Sequence, residues 1–435
     1  MILGVYMFAK GKESVEQTVR FSGRQALAAA QRLATASTEE KNKVLESLAD
    51  LIESRSRDLM EINRKDLVAI QGHNFSSDIT DAIKLTPGIL KKLVESIRST
   101  IEQNDPVGFS SPYATQPYGL MIEKVRVPLG VIGVVFENSP TCAITAAALC
   151  IKSGNACILF GDDCAIHTNL AFADIFEQAL KKTHIPPRAV QLIPSSEKQA
   201  LDVLLKMDDF VKCILPMCND EMLQYITNSR TNIPVIREYK GICNMYVDAE
   251  ADPEKVKAIL INAKCKDPHA CSSVENLFIH QKIAPQLLPE LARIMVNESV
   301  ELRIDSAAEG ILLGEENVPL NPLSEDDLRE EFQALILAVK VVVSTESAID
   351  EINTYGSGLA DVIITENKAT AQKFFSGVNS ATVYCNASPL FTDGQTFEIG
   401  SDIAISTDRM HIRGPITLNE LCTHKYIILG SGQTK

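Results

Sequence analysis

A chain of 435 residues, 45% of them hydrophobic and 23% charged, has the composition of an ordinary globular protein large enough for two or three domains, which excludes a disordered or repetitive polypeptide. Its net charge of −14 argues against binding to a nucleic-acid backbone, which relies on clustered Lys and Arg to release counterions, and leaves small molecules as the expected partners. Its eleven cysteines contain no C-x-x-C pair, no His and Cys spacing forms a zinc site, and no apolar run approaches the roughly 20 residues of a membrane span. With no basic leader before the short apolar start MILGVYMFAK, the expectation is a reducing cytoplasm, with no metal and no membrane.

Residues 15 to 104 read as helices, because Leu27, Ala30, Leu33 and Ala34, then Leu45, Leu48 and Leu51, recur at helical spacing. From Tyr118 to Ile132 β-branched residues alternate with polar ones between glycines, which predicts an extended hairpin or paired strand. Between Val131 and Val247 short apolar runs (VIGVVF, CILF, VQLI, KCIL, PVI, NMYV) alternate with helical segments at 146–153, 166–181 and 198–206. A second alternating series follows from Asp252 to Val383, with strands at ENLFIH, LILAVKVVV, ADVIIT and ATVYCN and helices at 253–263, 283–298 and 368–377. Such alternation is the pattern of parallel sheets with crossover helices, so two α/β domains are expected, with no low-complexity linker between them. The tail ends in LCTHKYIILG, a strand free to pair with the earlier hairpin or with another subunit.

Several long segments, in order, resemble the gamma-glutamyl phosphate reductase family of the aldehyde dehydrogenase superfamily: VRVPLGVIGVVFE (125–137), AAALCIKSGNA (146–156), GICNMYVDAEAD (241–252), NAKCKDPHACSSVENLFIH (262–280), YGSGLADVIITEN (355–367), NAS with DGQTF (386–397) and ISTDRMHIRGP (405–415). The resemblance implies an aldehyde dehydrogenase-like α/β fold. Its expected parts are a Rossmann-like cofactor domain (1–112 and 128–252), an α/β catalytic domain (253–398), a small β oligomerisation extension (113–127 and 416–435) and a return segment (399–415). It also implies an NADPH-dependent reductase of L-glutamyl 5-phosphate that works as a homodimer or homotetramer.

Within that resemblance Cys271 falls at the place of the nucleophile, with Cys265 the near competitor. Thiolate suits the chemistry, since it attacks an acyl phosphate readily and the resulting thioester accepts hydride; the bland alternative is a buried inert thiol. Asn138 is the candidate donor to the developing oxyanion, the alternative being a cap on the following helix. Lys152, Ser153, Gly154 and Asn155 match the family's KSGN turn and are expected to cradle the cofactor, with Gly161, Pro216 and Asn219 on neighbouring turns. Three departures bear on that site. Where the family continues with an Arg and two glycines, Phe160, Gly161, Asp162 and Asp163 stand here, losing a positive charge and adding two negative ones, which disfavours NADP relative to NAD. Met217, Cys218 and Asn219 replace Arg-Gly-Gly, which leaves two outcomes open: side chains that block the ligand, or a turn that survives with weaker binding because Asn219 adopts a left-handed conformation. The substrate positions Ser139, Asn244, Leu359 and Leu390 replace basic residues, and Asp402 replaces Glu. These losses keep two alternatives open, an altered, less polar acyl substrate and a catalytically silent scaffold. Neither Glu238 nor Glu275 is assigned as a general base, and His269 is expected at the surface.

Overall fold

The computed structural model describes residues 14–71, 77–115, 119–237, 240–315, 318–392, 396, 403, 405–407 and 412–434. The chain divides into two compact units, one formed by Met1–Arg237, Ile399–Ala404 and Ile416–Lys435, the other by Glu238–Glu398 and Ile405–Pro415.

The first unit opens with helices α1 (Val15–Leu33), α2 (Thr38–Ser54), α3 (Ser56–Gln71), α4 (Ser77–Ile83) and α5 (Pro87–Glu102). The first two begin with reciprocal capping boxes, Ser14 with Gln17 and Ser37 with Glu40, which satisfy backbone donors that a helix start would leave bare. Strands β1 (Ser110–Thr115) and β2 (Met121–Pro128) form an antiparallel pair. A four-stranded parallel sheet follows, made of β3 (Val131–Phe136), β4 (Ala156–Gly161), β5 (Val190–Leu192) and β6 (Cys213–Met217) in the order β5-β4-β3-β6. Its crossovers include α6 (Pro140–Lys152), α7 (Ile166–Leu180) and α8 (Lys198–Leu204), and α9 (Asp220–Asn228) follows β6. Alternate strand residues Val131, Val135, Ile158 and Phe160 pack in one core with Ala26 and Ala30 of α1 and Leu201 and Leu204 of α8. Phe160, which replaces an arginine of the family pattern, is therefore a core residue.

The second unit holds a seven-stranded sheet. Its strands are β7 (Cys243–Val247), β8 (Val274–His280), β9 (Glu301–Ile304), β10 (Asn321–Pro322), β11 (Ile336–Val342), β12 (Ala360–Ile364) and β13 (Thr382–Cys385), in the order β10-β9-β11-β8-β7-β12-β13 with every pairing parallel. Helices α10 (Pro253–Cys265), α11 (Ala284–Asn297), α12 (Ser306–Leu312), α13 (Thr345–Tyr355) and α14 (Lys368–Gly377) connect them. Side-chain alternation sorts β7 onto two cores, Met245 and Val247 with α10 and α11 on one face, Tyr246 with α13 and Phe374 of α14 on the other. Short pieces β14 (Ile405–Ser406) and β15 (Gly414–Pro415) pair antiparallel. The last strand, β16 (Cys422–Leu429), pairs with β2 along its whole length, from Cys422 opposite Pro128 to Leu429 opposite Met121.

Two expectations change. The segment 241–252, expected in the cofactor domain, supplies β7, which pairs with β8 and β12 in the centre of the second sheet, so the unit boundary falls before β7 and not after it. The return segment 399–415 is divided, since Ile405–Pro415 belongs with the second unit.

Candidate active site

In the first unit the order β5-β4-β3-β6 reverses at β3: β4 and β5 are added on one side and β6 on the other. Ligands of open parallel sheets bind outside the carboxyl ends of the strands at such a reversal. The residues there are Glu137, Asn138 and Ser139 after β3, Asp162 and Asp163 after β4, and Cys218 and Asn219 after β6. Asn138 is left-handed, with φ 53°, and its N–H donates to Asp162 Oδ2 at 3.0 Å. Asp162 Oδ1 is buried with no hydrogen-bond partner. Burial, then the neighbouring Glu137 and Asp163 carboxylates, push the Asp162 carboxyl up to about 6.

The turn after β6 survives without glycine, but by a different device from the one expected. Asn219 is extended, with φ −69° and ψ 170°, and its side chain caps α9 by accepting the Met222 N–H at 2.9 Å. Its own N–H donates to Glu137 Oε2 at 3.0 Å, tying β6 to β3. Helix α6 is otherwise: Ser139 at its N-cap makes no side-chain cap, Pro140 stands at its first position, and its first turn carries no acid. The N-cap is Ser139, so Asn138 lies one residue outside the helix and does not cap it.

The four residues of the KSGN turn lie at the opposite end of the sheet, between the end of α6 and the start of β4, and all four are buried. Lys152 Nζ donates to Asn42 Oδ1 and to the Ile101 carbonyl, each at 2.7 Å, linking α6 to α2 and α5. Ser153 Oγ donates to the Leu149 carbonyl at 2.7 Å. Gly154 has φ 80°, and a Cβ there would sit 2.8 Å from Pro128 Cγ. Asn155 accepts the Gly130 N–H at 2.8 Å and donates to the Leu421 carbonyl at 2.8 Å, fastening β4 to the start of β3 and to the chain's end. With their polar atoms committed at the amino end, these residues hold the fold together and do not face a cofactor at the carboxyl end. Pro216 is buried inside β6, and Gly161 is a close-packing residue, since a Cβ there would meet the Phe136 ring at 2.5 Å.

In the second unit Cys271 is partly exposed in the turn that precedes β8. That turn is fixed by the Ser273 N–H to the Ala270 carbonyl at 2.8 Å and by Ser273 Oγ to the Ala263 carbonyl at 3.0 Å. A Cβ on Gly241 would lie 2.0 Å from the Cys271 carbonyl oxygen, and the Cys243 thiol donates to that oxygen at 3.5 Å. The backbone of Cys271, the candidate nucleophile, is thus wedged against the start of β7. Cys265, the competitor, packs at the edge of the core at the end of α10, where burial and then Glu298 raise its thiol. His269 is exposed and its N–H binds Asp267, as a surface residue. Beneath the turn Lys264 and Glu275 form a fully buried ion pair at 2.6 Å, and burial outweighs the lysine to push the Glu275 carboxyl up to about 7.

The substrate positions separate. Asn244 is fully buried, donating to Asp361 Oδ1 at 2.6 Å and accepting from Asn276 Nδ2 at 2.8 Å, so it belongs to the sheet interior. Leu359 is also fully buried, in a cluster with Cys243, Ala360 and Ile405 against which Cys271 packs. Leu390 is partly exposed on a one-turn helix beside Phe391, which is 52% exposed. Ser139 is partly exposed, and Glu238 and Asp402 lie outside the described residues. The contact between Gly241 and Cys271 was not foreseen, because spacing within a motif does not reveal which distant backbone a glycine touches.

The model of the aldehyde dehydrogenase family matches residues 7–310. The chain is similar to the gamma-glutamyl phosphate reductase of Opitutus terrae, 42% identical over 420 residues, with 96% of this chain and 98% of that one covered. Among solved structures it is similar to the gamma-glutamyl phosphate reductase of Thermotoga maritima, with a TM-score of 0.92 at 31% identity over 96% of this chain and 99% of the other. An acetylating aldehyde dehydrogenase from Geobacillus thermoglucosidasius shares the fold, with a TM-score of 0.67 at 15% identity over 97% and 98% of the two chains.

Proposed function

Because the chain belongs to the aldehyde dehydrogenase family, and within it to the gamma-glutamyl phosphate reductases, we propose that it reduces L-glutamyl 5-phosphate to L-glutamate 5-semialdehyde in proline biosynthesis, through a thioester on Cys271. The observation that carries this reading is a partly exposed cysteine in a turn whose backbone is immobilised by Gly241 and Ser273. Sulfur attacks the acyl carbon, the C–O bond to phosphate breaks, and phosphate leaves with the electron pair. A bound reduced nicotinamide supplies the hydride that converts the thioester to the aldehyde level. The C–S bond of the resulting hemithioacetal then breaks, the hydroxyl proton is lost and the Cys271 thiolate is restored. No water has to be activated, so Glu275, locked to Lys264, has no part as a base.

The residues present fit a nicotinamide dinucleotide, which the family uses. The uncapped start of α6, on the first turn after β3, is the place for a pyrophosphate, and the orphaned Asp162 Oδ1 is suited to a ribose hydroxyl. We place the enzyme in the cytoplasm, in keeping with eleven cysteines of which the described residues link none in a disulfide. No helix among the described residues is long and apolar enough to cross a membrane. We also propose a homo-oligomer, since the β1-β2-β16 sheet leaves Met121, Tyr426, Ile428 and Leu429 exposed; sedimentation of the purified protein as a monomer would contradict it.

The test is the reverse reaction. Glutamate semialdehyde should reduce the oxidised dinucleotide only when inorganic phosphate is present. Turnover independent of phosphate would replace this reading with a hydrolytic dehydrogenase. Turnover of apolar aldehydes but not of glutamate semialdehyde would favour the second reading, a less polar acyl substrate, which the partly exposed Leu390 beside Phe391 supports.

A further inference from the structure

The carboxyl end of β4 carries two adjacent acids, Asp162 and Asp163, and the end of β3 carries a third, Glu137. In a dinucleotide-binding sheet the end of the second strand meets the ribose of the adenosine half, where a carboxylate can accept the 2′-hydroxyl but repels a 2′-phosphate. We propose that Asp162 and Asp163 make this chain select NADH over NADPH, by accepting the adenosine ribose and excluding the 2′-phosphate. The inference rests on the reductase reading above and goes beyond it by fixing which dinucleotide serves.

Three observations support it. The Asp162 carboxylate cannot swing away from the end of β4, because Oδ2 is held by the Asn138 N–H at 3.0 Å. That same bond commits the backbone donor which a phosphate placed there would need. Asp162 Oδ1, buried and without a partner, is an acceptor to which a ribose hydroxyl could donate, whereas a 2′-phosphate, largely dianionic at neutral pH, meets it with like charge. Asp163 is exposed beside it, and the groups acting on Asp162 are the carboxylates of Glu137 and Asp163 and the backbone N–H groups of Asn138 and Cys164. The sequence offers no compensating arginine at this strand end, since Phe160 points into the core. Each close pairing of like charges at a protein surface suffices for about tenfold or more in affinity.

The experiment is titration of the purified full chain with NADH and with NADPH, followed by nucleotide fluorescence at low and at high salt, on the wild type, D163N and the double variant D162N/D163N. Asn at 162 keeps an oxygen for the Asn138 N–H, and Asp163 is exposed, so D163N keeps the test alive if the double variant does not fold. The expected result is an NADPH dissociation constant at least about tenfold above that of NADH at low salt, narrowing at high salt, with the ratio falling stepwise in D163N and in the double variant as NADPH tightens. NADPH binding as tightly as NADH in the wild type, or a ratio unmoved in folded variants, overturns the inference and leaves the reductase reading standing. No binding of either dinucleotide at millimolar concentration overturns both.

Discussion

The two parallel sheets hold their candidate site residues at opposite ends, and in each the other end carries a buried hydrogen-bonded network. In the first unit the amino end is closed by Lys152, Ser153 and Asn155, all hydrogen-bonded and buried, while the carboxyl end holds the left-handed Asn138, the orphaned Asp162 oxygen and the uncapped start of α6. In the second unit the carboxyl end is closed: Thr365 Oγ1 donates to Asp248 Oδ2 at 2.7 Å, and Asn386 exchanges bonds with the Thr365 backbone at 3.0 and 2.8 Å. Its amino end holds Cys271 and Gly241, together with a Glu275 oxygen that is buried without a partner. The Asp162 and Glu275 oxygens without a partner lie with the candidate site residues, and the hydrogen-bonded groups just named lie at the other end of each sheet. A turn rich in Gly, Asn and Lys looks the same in sequence at either end.

The largest effects should come from the working end of the second unit. Cys271→Ser is expected to lower turnover by at least about 10⁴-fold, because a hydroxyl without an activating base is a poor nucleophile, while circular dichroism stays unchanged. Persistent turnover would move the nucleophile elsewhere. Gly241→Ala comes next. Its new Cβ would sit 2.0 Å from the Cys271 carbonyl oxygen, so the turn must shift, and a displacement near 1 Å at a reacting atom costs about 100-fold. Steady-state kinetics should show kcat falling; an unchanged kcat would mean that the backbone of Cys271 is not held by this contact.

The sequence and the structure agree where the signal is local. Strands β3, β4, β8 and β12 are short apolar runs bounded by turns, and α14 (Lys368–Gly377) matches its predicted helix at both ends. They part where the partner decides. NMYV reads as a strand from its own residues, but nothing in it says that β7 will pair with β8 and β12 rather than with the sheet that precedes it. Strand β9 (Glu301–Ile304) is four residues long with two charges, and α13 (Thr345–Tyr355) mixes acids with few large apolar residues, so neither stood out. The resemblance to a family singled out Cys271 as the candidate, and the structure finds its thiol partly exposed before β8; the burial of Asn244 and Leu359 was not legible, because their change from basic residues suggests lost substrate contacts while their actual neighbours are Asp361, Asn276 and Cys243.

A sharper probe of the comparison is Lys152→Ala at the locked end of the first unit. The loss leaves Asn42 Oδ1 and the Ile101 carbonyl without a buried donor, for an expected destabilisation of about 2–3 kcal/mol in denaturant unfolding. The dissociation constant for the dinucleotide should not move. Weakened binding in a variant that remains folded would return the KSGN turn to the cofactor site.

The last predicted effect is the pH dependence of the buried network that Asp361 forms with Asn244 and Ser380 in the second unit. Asp361 is fully buried, and burial pushes its carboxyl up to about 6 against the hydrogen bonds it accepts from Ser380 and Asn244. Below the ordinary value of 3.8 the group is protonated whether the chain is folded or not. Between that value and about 6 the folded protein keeps a proton that the unfolded chain has lost, so the unfolded state binds fewer protons and stability falls as pH rises across this window. Asp361→Asn removes the titration without removing the contacts, since an amide oxygen can still accept from Asn244 and its NH₂ can donate to Ser380. The midpoint of urea unfolding, measured from pH 4 to 7, should therefore fall less steeply in the variant than in the wild type. A variant with the same slope would show that the charge of Asp361 is already compensated in the fold by the hydrogen bonds from Asn244 and Ser380.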